Sequence, residues 1–289
     1  MPSADQQQSI EARLLRLLAY IHDNLDGDLS LDRLAEVACL SRFHWHRVFR
    51  AMTGETLADA IRRIRLIRAA NALVLETAPM AEIAARYGYP NVASFSRAFS
   101  AVHGTSPGAF RARGVQLAAA LRRNPGDNRM YPVTLETLPA ARAAGVLHVG
   151  PYAEVGRAFQ QLGGLIAARG LFPHVQAMIG VYHDAPGSKP DAELRAHAAV
   201  IIADGFPTDI AGLEYFDLAG GRYAVMTHQG PPATLAVAYE WLYGQWLPQS
   251  GEEPRDAPPI EVYLTDPRVT PMDQARTEVR LPLVSRADE

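Results

Sequence analysis

Two segments fifty residues apart carry one pattern, and this duplication restricts the fold more than any other feature of the chain. Ser41-Arg42-Phe43-His44-Trp45-His46-Arg47-Val48-Phe49 is answered by Asn91-Val92-Ala93-Ser94-Phe95-Ser96-Arg97-Ala98-Phe99. A shift of fifty lays Ser41 on Asn91, Arg47 on Arg97, Phe49 on Phe99 and Gly54 on Gly104. Upstream the shift is forty-nine: Leu34-Ala35 falls on Ile83-Ala84 and Cys39 on Gly88, so the extra residue lies at a turn near Pro90. A duplication with one slip at a turn reads as two copies of one supersecondary unit.

Each copy reads as helix, tight turn, helix. Ser30 is a good N-cap, and Leu31, Leu34, Ala35 and Ala38 follow at helical spacing. Ser41 and Asn91 are the expected caps of the second helices, and Phe49 and Phe99 are expected to point back into a small core. This is the pattern of a helix-turn-helix, whose second helix enters the major groove of DNA. A plain helical pair is the alternative for one copy; two copies in register favour DNA. Residues 10–25 read as an amphipathic helix with Ile10, Leu14, Leu17, Leu18 and Ile21 on one stripe. Thr56 to Leu75 reads as a stiff spacer helix with Leu57, Ala60, Ile61, Ile64 and Ile67 on its apolar face. Arg62, Arg63, Arg65 and Arg68 lie mostly outside that face and read as a solvated surface.

The ordered set L-A-E-V-A-C-L-S-R-F-H-W-H-R-V-F, I-A-A-R-Y-G-Y, S-F-S-R-A-F and G-T-S-P-G-A-F-R resembles the DNA-binding domain of the AraC/XylS transcription regulators over roughly residues 10 to 113. Carried over position by position, the resemblance implies DNA contacts from Arg42, Phe43, His46 and Arg47 in the first unit. In the second unit it implies contacts from Asn91, Ser94, Ser96 and Arg97. Arg47 and Arg97 can donate twice to guanine or bind phosphate, His46 can meet a base edge, and Phe43 can pack on a thymine methyl. Trp45 and Phe95 read as core.

Charge agrees with this division. Residues 1–114 hold fourteen arginines against eleven acidic residues, a net of +3, whereas residues 115–289 hold fourteen basic and twenty acidic residues, a net of −6. The basic half is the one that phosphate contact requires. The single cysteine, Cys39, excludes an internal disulfide and reads as a small buried residue. No apolar run reaches bilayer length and the N-terminus lacks a signal-peptide core, so a cytoplasmic protein without a membrane partner is expected. The scattered histidines suggest no metal site, and no cofactor is expected.

Asn124-Pro125-Gly126-Asp127-Asn128 has the composition of a linker, after Gln116 to Arg123, which could extend a helix. Beyond it a second repeat begins. His148-Val149-Gly150-Pro151-Tyr152 matches His228-Gln229-Gly230-Pro231-Pro232 eighty positions on, and Phe159 and Leu162 match Tyr239 and Leu242. Ile179-Gly180-Val181-Tyr182 matches Ile260-Glu261-Val262-Tyr263 eighty-one positions on, and Arg195 matches Arg276. Alternation in Val133/Leu135, Val181, Val200/Ile202, Tyr223/Val225, Val262/Leu264 and Val279/Leu281 marks strands, so each half reads as strand, helix, strand, strand. Helices on one face of an antiparallel sheet follow, with a groove between the halves as the natural ligand site.

The segments H-V-G-P-Y, G-V-Y-H-D, W-L-Y-G-Q-W-L-P and I-E-V-Y-L-T-D-P resemble the GyrI-like small-molecule-binding domain over roughly residues 130–285. The resemblance implies a carboxylate in an aromatic cleft that takes an apolar or cationic compound, and Glu261 stands in that place. Alternation puts Glu261 and Tyr263 on one face of their strand; on alternation alone that face could be solvated. The matching Gly180 offers space in place of charge. Tyr152, Tyr182, Trp241, Trp246 and Tyr263 are the expected aromatic walls, with one of the two tryptophans facing the groove. Pro232 stands where the family commonly has tyrosine.

The expected protein is therefore multidomain. An all-α tandem helix-turn-helix domain spans 1–113, a linker 114–129, and an α+β domain of two strand-helix-strand-strand repeats 130–289. The expected function is sequence-specific transcription regulation, with promoter DNA and a small-molecule effector as partners and RNA polymerase as a further candidate. A hydrolase of reactive drug-like molecules, using Glu261 with Tyr152 or Tyr263, and a protein-sequestering module are the alternatives from other classes.

Overall fold

The structure is a computed structural model that describes residues 4–39, 42–114, 131–266 and 269–285, with the side chains of 4–10, 42–46, 233 and 272 left aside. The linker expected over 114–129 lies outside these residues apart from Gly114, as do the expected cap Ser41 and the helical extension over Gln116 to Arg123.

The N-terminal part is helical: α1 (Ala4–Asp23), α2 (Leu31–Ala38), α3 (Arg42–Thr53), α4 (Leu57–Leu75), α5 (Met80–Arg86), α6 (Val92–His103) and α7 over 107–114. Capping explains where several begin. The Ser30 hydroxyl accepts from the Arg33 N–H at 3.3 Å, Thr56 from Asp59 at 3.2 Å, and the Asn91 side chain from Ser94 at 2.8 Å. Two cores form. Leu14, Leu17, Leu18 and Ile21 of α1 meet Leu34, Ala38 and Phe49, while Phe95, Phe99 and Phe110 meet Ile83 and Ala84. α4 serves both: Leu57, Ala60, Ile61 and Ile64 enter the first core, and Leu66, Ala69, Ala70, Ala72 and Leu73 the second. Phe49, Phe95 and Phe99 are buried as expected.

Two expectations for this domain fail. The α4 arginines are not a solvated row. Only Arg62 is exposed; Arg63 pairs with Glu55 at 2.6 Å, Arg65 donates to the Leu25 carbonyl at 2.8 Å, and Arg68 donates to the His22 ring at 2.8 Å. Periodicity showed that they lie off the apolar stripe, and the neighbouring chain then covers them. Cys39 is exposed, because it is the turn residue rather than a packed one. Its φ of 51° and the φ of 76° at the matching Gly88 place both in the left-handed region, which suits glycine and strains a Cβ-bearing residue. Cys39→Gly should therefore raise stability by roughly 0.5–1 kcal/mol, read as a shift in the urea midpoint at unchanged slope.

Among the described residues the C-terminal part is one antiparallel eight-stranded sheet with helices on one face. Its order along the chain is β1 (Val133–Leu138), β2 (Ala141–Val149), α8 (Gly156–Ala168), β3 (Val175–Tyr182), β4 (Arg195–Ile202), β5 (Glu214–Leu218), β6 (Gly221–Gln229), α9 (Leu235–Trp241), a π-helical turn Leu242–Trp246, α10 (Leu247–Ser250), β7 (Ile260–Tyr263) and β8 (Arg276–Pro282). Within each half two strands precede the main helix, β1 and β2 before α8 and β5 and β6 before α9, where alternation suggested one. Spatially the strands run β1-β6-β8-β7-β3-β4-β2-β5, so β1 and β5 each cross to the far half and form the edges. The halves join where β3 meets β7, with Gly180 directly opposite Glu261 and Val181 opposite Ile260.

Alternation sorts the two faces. Ile179, Val181, Ile260 and Val262 pack on one side with Ala199, Tyr223 and Val225. On the other, α8 covers Ala144, Val146, Ala198 and Val200, and α9 covers Ala224, Met226, Val279 and Leu281. Opposed residues of an antiparallel pair share a face, so Gly180 and Glu261 lie on the helix side, between the two helix-covered cores. The helix starts repeat as well. Gly150 and Gly230, with φ of 141° and 139°, make the bends that lead into α8 and α9.

The two domains are packed together. Arg169 at the end of α8 pairs with Glu11 of α1 at 2.7 Å, Arg157 pairs with Asp23, and Arg113 pairs with Asp273 at 3.0 Å. Between the first two pairs the α8 backbone at Gly164 comes so close to α1 that a Cβ there would lie 2.9 Å from Leu18.

Candidate functional site

Glu261 is 4% exposed, although it is a carboxylate. Its Oε2 accepts from the Tyr263 hydroxyl at 2.9 Å, and that hydroxyl lies 3.1 Å from the hydroxyl of Tyr182. Tyr182 meets Tyr152 edge to face at 4.9 Å between ring centroids, and Phe159 of α8 meets Tyr263 edge to face at 5.2 Å. The Tyr152 ring is anchored by its hydroxyl, which donates to the Asp184 carbonyl at 2.7 Å. From α9 comes Tyr239, whose hydroxyl acts on the Glu261 charge and whose ring stacks on Tyr243 at 6.3 Å. Pro248 has no N–H to continue the helix ladder, and the π-helical turn before it accommodates the break.

Burial dominates the electrostatics. It pushes the Glu261 carboxyl up to about 7, against the hydroxyls of Tyr263, Tyr239 and Tyr182, which favour the charged form. Burial and then the neighbouring carboxylate drive Tyr263, Tyr182 and Tyr239 well above the usual phenol value. The hydroxyls therefore stay protonated and available as donors. A carboxylate held this way among tyrosine rings can attract a cation and face it with π surfaces.

The structure brings together some of the residues expected at the site and not others. Tyr152, Tyr182, Tyr263 and Glu261 come together. Trp241 does not join them: it is 3% exposed and packs on Tyr131 at 5.5 Å in the core behind α9. Trp246 packs against that same core, as Tyr239 does, and among the described residues no ring contact links either tryptophan to Tyr152, Tyr182 or Tyr263. The room expected at Gly180 is taken, since a Cβ there would lie 2.8 Å from both the Tyr182 ring and the Tyr263 hydroxyl. Phe159 and Tyr239, which the sequence reading did not single out for the site, lie beside it as well. Their match eighty positions apart was the available signal, because equivalent helix positions in the two halves look onto one seam. Pro232 is exposed and brings no ring.

On the DNA-binding side, α3 and α6 present Arg47 and Arg97 to solvent, with no ion pair to either among the described residues. Ser96 is half-buried on α6. Asn91 and Ser94 are partly committed: the Asn91 side chain caps α6, and the Ser94 hydroxyl donates to the Asn91 carbonyl at 2.9 Å. The side chains of Arg42, Phe43 and His46 lie outside the described residues. Among the described residues no acidic, histidine or cysteine group has the arrangement of a metal site, and no helix is long and apolar enough to cross a membrane.

Comparison with known proteins places both halves. The GyrI-like small molecule binding domain matches residues 131–284, and a helix-turn-helix domain matches residues 34–113. The chain is 27% identical over 269 residues to the right origin-binding protein of Escherichia coli strain K12, covering 88% of this chain and 91% of that one. It is 35% identical over 97 residues to the regulatory protein SoxS of the same strain, covering 34% of this chain and 91% of that one. A solved EcmrR–DNA complex aligns over 84% of this chain and 82% of that one, at 15% identity and a TM-score of 0.47. With a sheet that seats a buried carboxylate and a duplicated helix-turn-helix ahead of it, the chain belongs to the GyrI-like small-molecule-binding family and is an AraC-type DNA-binding transcriptional regulator.

Proposed function

We propose that this regulator reads promoter DNA with α3 and α6 and takes a lipophilic, delocalised cation as effector at Glu261. One observation carries the effector class: Glu261 is buried, and the hydrogen bond it accepts comes from a neutral tyrosine hydroxyl. A buried carboxylate without a compensating cation is costly, and a cation clad in aromatic carbon relieves the cost while filling an aromatic site. Tetraphenylphosphonium and tetraphenylborate share a shape and differ in the sign of charge. Calorimetry should show binding of the first and none of the second; equal binding of both would remove charge from the reading.

For DNA, Arg47 and Arg97 are the proposed base or phosphate readers, with Arg42, Phe43, His46, Asn91, Ser94 and Ser96 around them. Arg47→Ala and Arg97→Ala should each weaken specific binding by about 1–3 kcal/mol, on different segments of the footprint. Footprinting both variants on a promoter fragment decides it; unchanged affinity in both would sink the assignment. RNA polymerase is a proposed partner at such a promoter.

A further inference from the structure

We infer that α8 is the element through which occupancy of the Glu261 site is transmitted to the first helix-turn-helix unit, the Phe159 face responding to the effector and the Gly164 edge moving α1. The inference rests on the reading of Glu261 as the effector contact and adds how that site would regulate DNA binding.

The site is closed as it stands. Glu261 is 4% exposed, and the space over Gly180 is filled by Tyr182 and Tyr263. A molecule that reaches the carboxylate must displace at least one of those rings. Tyr263 has the Phe159 ring edge-on against it at 5.2 Å, so its displacement moves Phe159 or the helix that carries it. α8 has little slack on its other side. A Cβ at Gly164 would lie 2.9 Å from Leu18 Cδ1 and 3.3 Å from Leu15 Cδ2, whereas a Cβ at Gly163 would meet nothing within 4 Å. Both ends of the helix are tied to α1, by Arg157 to Asp23 and by Arg169 to Glu11 at 2.7 Å. Ala168 reaches into the first helical core, where Leu14, Leu17 and Leu18 of α1 form one wall and Phe49 of α3 another. Packed interfaces shift as units rather than deforming smoothly, so a displacement at Phe159 is passed on at Gly164.

The chain of contacts is continuous from Glu261 through Tyr263, Phe159, α8 and α1 to Phe49, on the inner side of the helix that presents Arg47. Contiguity alone does not establish coupling. The physical warrant is that the closed site and the tight seam share one helix, so a displacement of α8 at Phe159 is felt at Gly164.

The experiment is hydrogen exchange on the full-length protein, with tetraphenylphosphonium occupancy checked by calorimetry. Saturating ligand should change exchange in α8 and in residues 11–23 of α1 by about fivefold or more, and leave α5 unmoved. Gly164→Leu should keep tetraphenylphosphonium affinity within about twofold and lose the α1 response. Pairing it with Leu18→Ala, which makes room for the new side chain, should restore that response. Gly163→Ala, which enters open space, should respond like wild type. Bound ligand with unchanged α1 exchange, or a wild-type response in Gly164→Leu, overturns the inference. A ligand-free arm separates this from the effector reading: Tyr263→Ala opens the site by itself and should alter α1 exchange. Phe159→Leu is the second such variant should Tyr263→Ala not fold. If tetraphenylphosphonium does not bind wild type, the effector class fails and this arm alone decides, an unchanged α1 overturning the coupling.

Discussion

Glu261→Gln lowers tetraphenylphosphonium affinity by about a hundredfold and, in the same protein without ligand, raises stability above pH 7 by about 3 kcal/mol. Both effects have one cause. The folded state holds this carboxyl at about 7, against an ordinary value of 4.5, because burial penalises its charge. A carboxyl raised in the folded state binds its proton more tightly there than in the unfolded chain. Its contribution is thus fully favourable below about pH 4.5 and is lost as pH rises through about 7. Above that, wild type carries a buried charge that the glutamine variant does not. The gain should shrink to near zero by about pH 4.5, and urea unfolding of both proteins across pH 4–8 measures it. Glutamine still accepts from Tyr263 and keeps the shape, so the lost affinity reports charge rather than geometry. A stability gain that does not vary with pH would show that the Glu261 carboxyl titrates in the folded protein as it does in the unfolded chain, so that burial does not penalise its charge. Hydrolysis of a bound electrophile that disappears in the variant would instead assign the carboxyl to catalysis.

Phe99→Ala costs about 3–5 kcal/mol and removes the half of the footprint that α6 protects. Phe99 is 0% exposed and sits at the centre of the second core, with ring centroids of Phe95, His103 and Phe110 at 5.5, 4.2 and 5.2 Å. Truncation there leaves a cavity walled by rings that cannot collapse into it. The first unit has its own core around Phe49, and the two cores meet along α4 and at Tyr87. Protection from α3 should therefore outlast protection from α6. Loss of both halves together, at a ligand and salt concentration where wild type binds fully, would mean that the two units fold as one.

The pH range below neutrality carries a separate signature. Burial holds His22, His103 and His228 down at about 4. Such groups protonate more readily in the unfolded chain, so the stability they contribute is complete above about pH 6.5 and is lost as pH falls toward 4. This loss runs opposite to the Glu261 contribution and places the stability maximum near neutrality.

The chain's local code was legible. The fifty-residue duplication, the caps at Ser30 and Asn91, and the buried Phe49, Phe95 and Phe99 follow from spacing and side-chain chemistry within a few turns of helix. The alternation that put Glu261 on the face opposite Val262 was likewise readable, and the repeat matched Glu261 to Gly180; the pairing that sets the two opposite each other is a contact of the folded chain. What lies on the far side of a face was not readable. Periodicity shows that Arg65 and Arg68 leave the stripe of α4, but only the folded chain brings Leu25 and His22 over them. Tryptophans five apart on one helical segment share no sequence mark that separates core from groove. Tyr131, more than a hundred residues upstream, decides for Trp241 by packing on it. The exchange of β1 and β5 between halves, the closing of the Gly180 space by two tyrosines, and the seating of α8 on α1 are likewise contacts between distant segments. Sequence determined which side chains were available on each surface, because rise and twist per residue are local. Tertiary structure decided which surfaces met, because that depends on how all of them are buried at once.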